Sequence, residues 1–371
     1  MSVTVLDRAG QTDRITGVAR VALIGAGKVA DDMHFPACAS ISDVQLAAVC
    51  EPDAGRHDHI REKWGVQAIY RDPTDMLRRE RPSVVIIATP PDTHSELCMN
   101  ALEHGAHVFC EKPFVSDLHE ADMVIEAAER AGRNVIVNNQ YRCMPIYAET
   151  HDRIRRGYTG DPYLIQCWQQ MYHPPSDERN WRAGLVRSAL YEFGTHPLDL
   201  MCHFFGALPV SIMAHTPHPR SEMQADVVVQ ATLRFPGERL GTLLLNRISH
   251  AAERYLEMRI DCERASCRIS FGGVARATLD WSRKLRRPLM RVSVVRGGEA
   301  RMEAGGRSQL IVKQMQDGRT PATAIKLREL IGAGREGRSL MDELRHSREL
   351  IRVVRAGYES AESGQTVSLV E

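Results

Sequence analysis

The chain reads as an α/β protein in which a doubly wound parallel sheet is followed by an α+β domain built on an antiparallel sheet. Three observations predict this. Between residues 19 and 138, short apolar runs rich in β-branched residues alternate with helix-length stretches, the signature of successive βαβ units. The first run ends in Gly25-Ala26-Gly27-Lys28-Val29-Ala30, a G-x-G-x-x-A turn placed where a strand meets a helix. After Pro145 the strand-like runs lengthen and alternate apolar with polar residues, as strands with one covered face do.

In order, residues 1–18 form a loose polar extension. VARVALIGAG is a buried strand closed by glycines, followed at helix-length intervals by strands Val44 to Cys50 and Ser83 to Thr89, with a helix around Asp75 to Arg81 before the third. HVFC (His107 to Cys110) and NVIVN (Asn134 to Asn138) flank a helix from Ser116 to Gly132, whose closing glycine suits a C′ cap. A short helix, Ile146 to Arg156, leads into the second domain. Its strands are PYLIQCWQQMY, DVVVQATLRF, RLGTLLLNRIS, YLEMRIDC and SCRISF, interrupted by a helix from Thr195 to Phe205. Segment 272–310 is rich in Gly and Arg and is expected to form loops or edge strands, and ELRHSRELIRVVRAGYESAESG closes the chain as a helix.

Composition narrows the function. With 371 residues, 48 Lys plus Arg and 47 Asp plus Glu, the net charge is +1, which argues against a nucleic-acid binder or a polybasic membrane-surface protein. An apolar share of 43% and a charged share of 26% are those of a globular protein long enough for two domains. No apolar run approaches the ~20 residues of a membrane helix, and the N-terminus shows neither an apolar h-region nor a twin-Arg signal, so a cytoplasmic location is expected. Nine cysteines without a C-x-x-C pair read as buried, reduced core residues. His57 and His59, two apart, would not share a helix face, and no metal is expected.

The glycine turn points to a dinucleotide. Gly25 allows the tight turn, Gly27 lets a pyrophosphate approach the backbone, and Ala30 permits close helix packing. Glu51 ends the second strand, 26 residues after Gly25. A carboxylate there accepts ribose hydroxyls and repels a 2′-phosphate, which favours NAD over NADP, although Arg56 lies near enough to serve the latter. Ala88-Thr89-Pro90-Pro91-Asp92-Thr93-His94 lies at the carboxyl end of the third strand, the side on which open α/β sheets bind ligands, with Thr89, Pro90 and His94 as cofactor contacts. Glu111-Lys112-Pro113 follows the next strand, placing Lys112 to exchange a proton beside the cofactor, with Glu111 tuning its charge.

The order GAGKVA, Glu51, ATPPDTH, HVFCEKP, NNQYRCMP, then Trp181-Arg182, Glu192-Phe193-Gly194-Thr195-His196-Pro197-Leu198-Asp199 and the closing Ala356 to Gly364 helix resembles the Gfo/Idh/MocA oxidoreductase family over residues 20–371. The resemblance implies an N-terminal Rossmann domain at 19–145. It further implies an α+β domain at 146–371, built on an open, mostly antiparallel sheet, that binds substrate and oligomerises. The implied activity is hydride transfer between NAD(P) and a ring hydroxyl or ketone of a sugar, glycoside or cyclitol, with substrate between the domains. Two departures stand out: Glu192 where the family usually has Asp, and Arg187-Ser188-Ala189 in place of a glycine run.

His196 is the expected general base. Glu192, four residues earlier, would share its helix face and orient it, with Asp199 one turn further on. Arg142, Asp199 and Tyr255 are the candidate substrate contacts, with Asn246 and His250 as weaker ones. Two other readings remain open: a redox-neutral lyase or glycosidase that retains its NAD, and a non-catalytic cofactor-binding regulator. The expected partners are a small carbohydrate-like molecule and further copies of the chain, as a homodimer or homotetramer, because the second sheet's outer face stays partly apolar.

Overall fold

Six strands of the N-terminal half lie side by side and all parallel, in a computed structural model that describes residues 14–173, 181–219, 223–250, 255–272, 274–282, 287–295 and 297–370. Residues 1–13 of the expected extension lie outside the described residues. The elements are β1 (Ala19–Ile24), α1 (Phe35–Ala39), β2 (Val44–Cys50), α2 (His57–Trp64), β3 (Ile69–Tyr70), α3 (Pro73–Glu80), β4 (Val84–Ile87), α4 (His94–Glu103), β5 (His107–Cys110), α5 (Leu118–Ala131) and β6 (Val135–Val137). The sheet order is β3-β2-β1-β4-β5-β6, so the winding reverses between β1 and β4 and opens a crevice at their carboxyl ends. Every residue of β4 and β5 is buried, as expected of strands covered on both faces. Helix α5 is bounded by local chemistry: Asp117 accepts from Glu120 N, Glu120 reaches back to Ser116 N, and Gly132 adopts φ 60° at the end.

The second unit continues with α6 (Pro145–Arg155), β7 (Pro162–Gln170), α7 (Thr195–Phe205), β8 (Ser211–His215), β9 (Val228–Phe235), β10 (Arg239–Asn246), β11 (Leu256–Cys262), β12 (Ser266–Phe271), β13 (Val274–Ser282), β14 (Arg287–Val295), β15 (Gly298–Ala304), β16 (Arg307–Gln314), α8 (Arg319–Glu336), α9 (Met341–Ser363) and β17 (Val367–Ser368). Nine strands form one sheet, β16-β15-β12-β11-β7-β10-β9-β8-β17, antiparallel except where β7 meets β10. Strands β13 and β14 pair antiparallel as a separate two-stranded sheet within the Gly- and Arg-rich segment. Alternate residues of β9 point into a core shared with α6 and α7, and in α7 all residues but His203 are buried.

Contacts group residues 1–138 with 324–347, and 139–323 with 348–371. The sequence reading places the whole of 146–371 in one domain. The difference arises because Ala324, Leu327, Leu330, Ile331 and Ala333 of α8 bury themselves in the core that contains Val21 and Leu23 of β1. Burial of that apolar face outweighs proximity along the chain. All nine cysteines are free thiols, eight of them buried. No helix among the described residues is long and apolar enough to cross a membrane.

Candidate active site

In the first unit the glycine turn closes on the crevice. Gly25 has φ 87°, and a Cβ there would lie 2.8 Å from the Ala88 carbonyl oxygen and 2.7 Å from Thr89 Cγ2, so the turn after β1 accepts no side chain. At Gly27 the position of a Cβ faces open space, leaving the backbone accessible to an anion. Val29 and the π-turn Ala30–His34 follow, with Ala30 buried, while Lys28 is exposed and pairs with Asp32 at 2.6 Å. Glu51 is buried at the end of β2. Its Oε2 accepts from Ala26 N and its Oε1 from Asp53 N, each at 2.9 Å, so the carboxylate is fixed at the base of the turn with lone pairs to spare.

Arg56, the residue that could serve a 2′-phosphate, donates from Nε to the Ala26 carbonyl at 2.6 Å and from Nη2 to Asp31 at 3.1 Å. The two histidines of α2 are also bound to the scaffold, His57 to the Glu51 carbonyl at 2.8 Å and His59 to Asp31. Among the described residues no group of three or more His, Cys, Asp or Glu side chains could hold a metal ion. A side-chain-free approach at Gly27, an acid fixed beside it and a basic side chain already engaged together suit NAD.

Thr89 bonds Thr93 through the two hydroxyls at 2.7 Å, and Pro90 accepts from Thr93 at 2.8 Å. His94 is fully buried, with Nε2 3.0 Å from the Thr89 carbonyl and Nδ1 2.9 Å from that of Phe114. Desolvation lowers its pKa against the opposing pull of these carbonyls, and the ring lies packed between the turn after β4 and the turn after β5. Its ring is thus occupied by backbone rather than presented to a ligand.

Glu111 sits where three elements meet. Its Oε1 bonds His34 Nε2 at 2.8 Å and accepts from Asn138 Nδ2 at 2.7 Å, while Oε2 accepts from Lys112 N at 3.1 Å. Burial alone would raise this carboxyl. The hydrogen bond and electrostatic pull of His34, the Asn138 bond and the Lys112 charge outweigh it, and the pKa falls to about 2. Glu111 is therefore a permanent anion that fixes the backbone of Lys112, whose bond to Pro113 is cis.

In the second unit Glu192 and His196 lie on either side of Gly194. Glu192 belongs to the π-turn Ala189–Phe193 and His196 to the first turn of α7. His196 is buried, its ring stacked on Tyr141 at 3.8 Å and 4°. The Tyr141 and Tyr255 hydroxyls are hydrogen-bonded, and Gln169 Nε2 donates to Tyr255 at 2.8 Å. Burial pushes both phenols up, so at neutral pH they remain protonated hydrogen-bonding groups. Glu192 is buried and accepts from Arg182 Nε at 2.5 Å, and Arg182 lies over the Trp181 ring. Arg142 and Asp199, both expected at substrate, grip each other through two hydrogen bonds. Asp199 is 1% exposed, so its carboxylate anchors Arg142 and leaves only the guanidinium partly accessible.

Two further residues, missed in the sequence, hold this region. Asp226 is buried and accepts from the backbone N–H groups of Ser188, Ala189 and Leu190 and from the Tyr358 hydroxyl, capping the π-turn that carries Glu192. Arg247, 1% exposed, donates to Ser188 Oγ at 2.6 Å and lies over Phe193. No local pattern marks either residue, because their partners are distant in sequence. Asn246 and His250, the weaker candidates, bond the Ile248 amide and pack on the Tyr172 ring respectively.

A parallel sheet with a glycine turn at its switch point, joined to an α+β unit, defines a two-domain dinucleotide-binding protein. Residues 19–139 match the family model described as oxidoreductase family, NAD-binding Rossmann fold, and residues 147–268 match the Gfo/Idh/MocA C-terminal domain. The chain belongs to the Gfo/Idh/MocA family. It is 32% identical over 204 residues to D-glucoside 3-dehydrogenase of Escherichia coli, covering 53% of this chain and 57% of that one. To inositol 2-dehydrogenase 4 of Saccharopolyspora erythraea it is 34% identical over 179 residues, covering 47% and 52%. The matched part thus spans little more than half the length of these relatives.

Among solved structures, an oxidoreductase from Agrobacterium radiobacter in complex with NAD+, L-tartaric acid and magnesium aligns with a TM-score of 0.79 at 19% identity, over 95% of this chain and 98% of that one. The myo-inositol 2-dehydrogenase from Lactobacillus plantarum aligns at 0.74 and 19%, over 95% and 99%. At these identities the structures establish the fold.

Proposed function

We propose that the chain is an NAD-dependent oxidoreductase acting on a ring CH–OH group of a sugar, glycoside or cyclitol. The observation that carries this reading is Lys112, held through its backbone by the buried Glu111 carboxylate at the end of β5, in a unit that matches an NAD-binding Rossmann fold. The relatives named as glucoside and inositol dehydrogenases support the substrate class.

NAD, when bound, accepts or returns the hydride; the chain's own residues handle the proton. Lys112 hydrogen-bonds the reacting hydroxyl oxygen, and His196 takes its proton during oxidation and returns it during reduction. Stacking on Tyr141 fixes the plane of the His196 ring. Arg142, anchored by Asp199, and Tyr255 supply hydrogen bonds to the remaining hydroxyls. Glu192 sets the field near His196 as a partner of Arg182.

The test is a panel of sugars, glycosides and cyclitols with NAD and with NADP, followed by the absorbance of the reduced cofactor. The expected result is turnover with kcat/KM favouring NAD; an NADP preference would contradict the roles given to Glu51 and Arg56. Turnover without added cofactor, with NAD retained through purification, would move the chain to the redox-neutral class.

The same reading makes the protein a homodimer or homotetramer. Tyr163 and Trp168 of β7 and Leu244 of β10 are exposed at 53%, 52% and 38%, with Leu244 in register with Trp168 on one sheet. A monomeric mass by light scattering would refute it. A cytoplasmic setting suits the nine free thiols.

A further inference from the structure

On the first unit, a cavity of about 540 Å³ lies among residues at the start of β5, the C-terminal end of α5, the end of α8 and the beginning of α9. It sits at the amino end of β5, whereas Glu111 and Lys112 follow that strand's carboxyl end. No residue expected at cofactor or substrate lines it. Its volume is within the range of ligand pockets, roughly 300–1,000 Å³.

The wall carries two carboxylates, Glu129 and Asp342, both within ion-pair distance of Arg345, and its remaining charged and ring side chains are donors. His107 is 5% exposed, and its Nδ1 accepts from Asn134 N at 3.0 Å, which places the ring proton on Nε2. Desolvation first, and then the charge of Arg133, hold its pKa down at about 4, so the ring stays neutral and Nε2–H remains a donor. Among the described residues that N–H has no acceptor. The guanidinium of Arg133 uses Nε on the Gly105 carbonyl at 2.6 Å and leaves its two Nη groups without a protein acceptor among the described residues. Arg338 likewise uses Nε on Glu336 at 3.1 Å. Arg338 and Arg345 are thus each paired with a carboxylate, Glu336 and Glu129 (2.9 Å), whereas Arg133 meets only a carbonyl.

The rest of the wall includes Ala128, Gly132 and Ala333. Gly334 is required there, since a Cβ on it would come within 3.0 Å of His107 Nε2 and 2.8 Å of Ile15 Cδ1. A side chain at 334 would thus press on the one buried donor of the pocket. Two guanidinium groups with idle donors, a fixed neutral N–H at the base and small apolar walls are complementary to an acceptor-only group at the end of a compact molecule.

We propose that this cavity binds a small molecule bearing an oxyanion, a carboxylate or a phosphate, with the anion held by Arg133 and Arg338 and by the Nε2–H of His107. The site is separate from the cofactor residues, and its occupant would be a metabolite sensed by the first unit.

The experiment is a titration of the full-length protein with inorganic phosphate and, in parallel, with acetate. It is read at the ¹H–¹⁵N resonance of His107 Nε2–H, identified by its loss in His107→Gln. Phosphate can also meet the glycine turn, but this resonance reports only its own cavity. The expected result is a saturable shift with at least one of the two anions, weakened by roughly tenfold or more in Arg133→Met and in Arg338→Met, which remove one charge-assisted partner each. Saturation by phosphate alone points to a phosphate ester, and saturation by acetate alone to a carboxylate. No shift with either anion, or a shift that both arginine variants leave unchanged, overturns the proposal. Because Arg133 is partly exposed and Arg338 exposed, these variants test binding without depending on whether His107→Gln folds.

Discussion

The two units hold their candidate functional residues by different means. In the first, Gly25, Thr89 and Lys112 follow the carboxyl ends of β1, β4 and β5, three neighbours in a parallel sheet. The strand order brings them to one edge, short turns carry them, and one buried carboxylate, Glu111, fixes the Lys112 backbone. In the second, Glu192 rides on a π-turn capped by Asp226, which lies 38 residues from Ser188, and Asp226 is itself bonded by Tyr358, 132 residues further on. Arg142 is held by Asp199 across 57 residues. In the parallel sheet topology does most of the positioning, with Glu111 as a long-range buried anchor, whereas the antiparallel unit relies on several such side chains. Damage to one such side chain should therefore be felt further away.

The largest effect that probes this contrast is at Asp226. Asp226→Ala leaves the N–H groups of Ser188, Ala189 and Leu190 without their acceptor, and each buried unsatisfied donor costs about 1–3 kcal/mol. Urea unfolding should show a loss of several kcal/mol, and kcat should fall although Asp226 touches no substrate. Asp226→Asn, which retains one carbonyl acceptor, should recover part of both. If Asp226→Ala unfolds like the parent protein, the second unit does not depend on this cap.

Next in size is the pH dependence carried by Glu111. Its folded pKa of about 2 lies below the reference of 4.5, so the folded state binds fewer protons than the unfolded state between those values. The resulting stability, about 3 kcal/mol, is fully present above pH 4.5 and is lost as the pH falls toward 2. Glu111→Gln should be less stable at neutral pH and should show a shallower acid slope over that window. A slope unchanged by the substitution would mean that the carboxylate is not held as described.

The smallest effect is the local counterpart of Asp226. Asp117 caps α5 through a single bond to Glu120 N at 2.9 Å in a partly exposed setting, and Asp117→Ala should cost only about 1 kcal/mol. Activity should stay close to that of the parent protein. A loss as large as that of Asp226→Ala would erase the distinction between locally and remotely held elements.

The same distinction explains what could be read in advance. Strands β2 and β5 and helix α7 carry their boundaries in local pattern, and all three fall on the residues expected from sequence. Helix α8 escapes such a reading, because Pro321, Gly332 and Gly334 look like breakers and its apolar residues find their core in a unit whose strands lie some 300 residues earlier. The parallel contact of β7 with β10 is equally silent, since alternation in a strand says nothing about the direction of its neighbour. Among site residues, Glu51 was legible from its place at a strand end. Its bonds to the Ala26 and Asp53 amides were not. His94 had the right position for a cofactor contact, but burial turned its ring to the backbone.

The central claim is that Lys112 and His196 handle the proton while NAD takes the hydride. Single-turnover reduction of NAD at saturating substrate tests it most directly, in Lys112→Ala, His196→Ala and the double variant, with NAD affinity measured alongside. General acid–base assistance is worth ~10²–10⁴-fold, so each single variant should slow hydride transfer on that order with NAD binding nearly intact. The double variant should be far less than multiplicative if one proton is involved. Hydride transfer at the parent rate in both single variants would contradict the account.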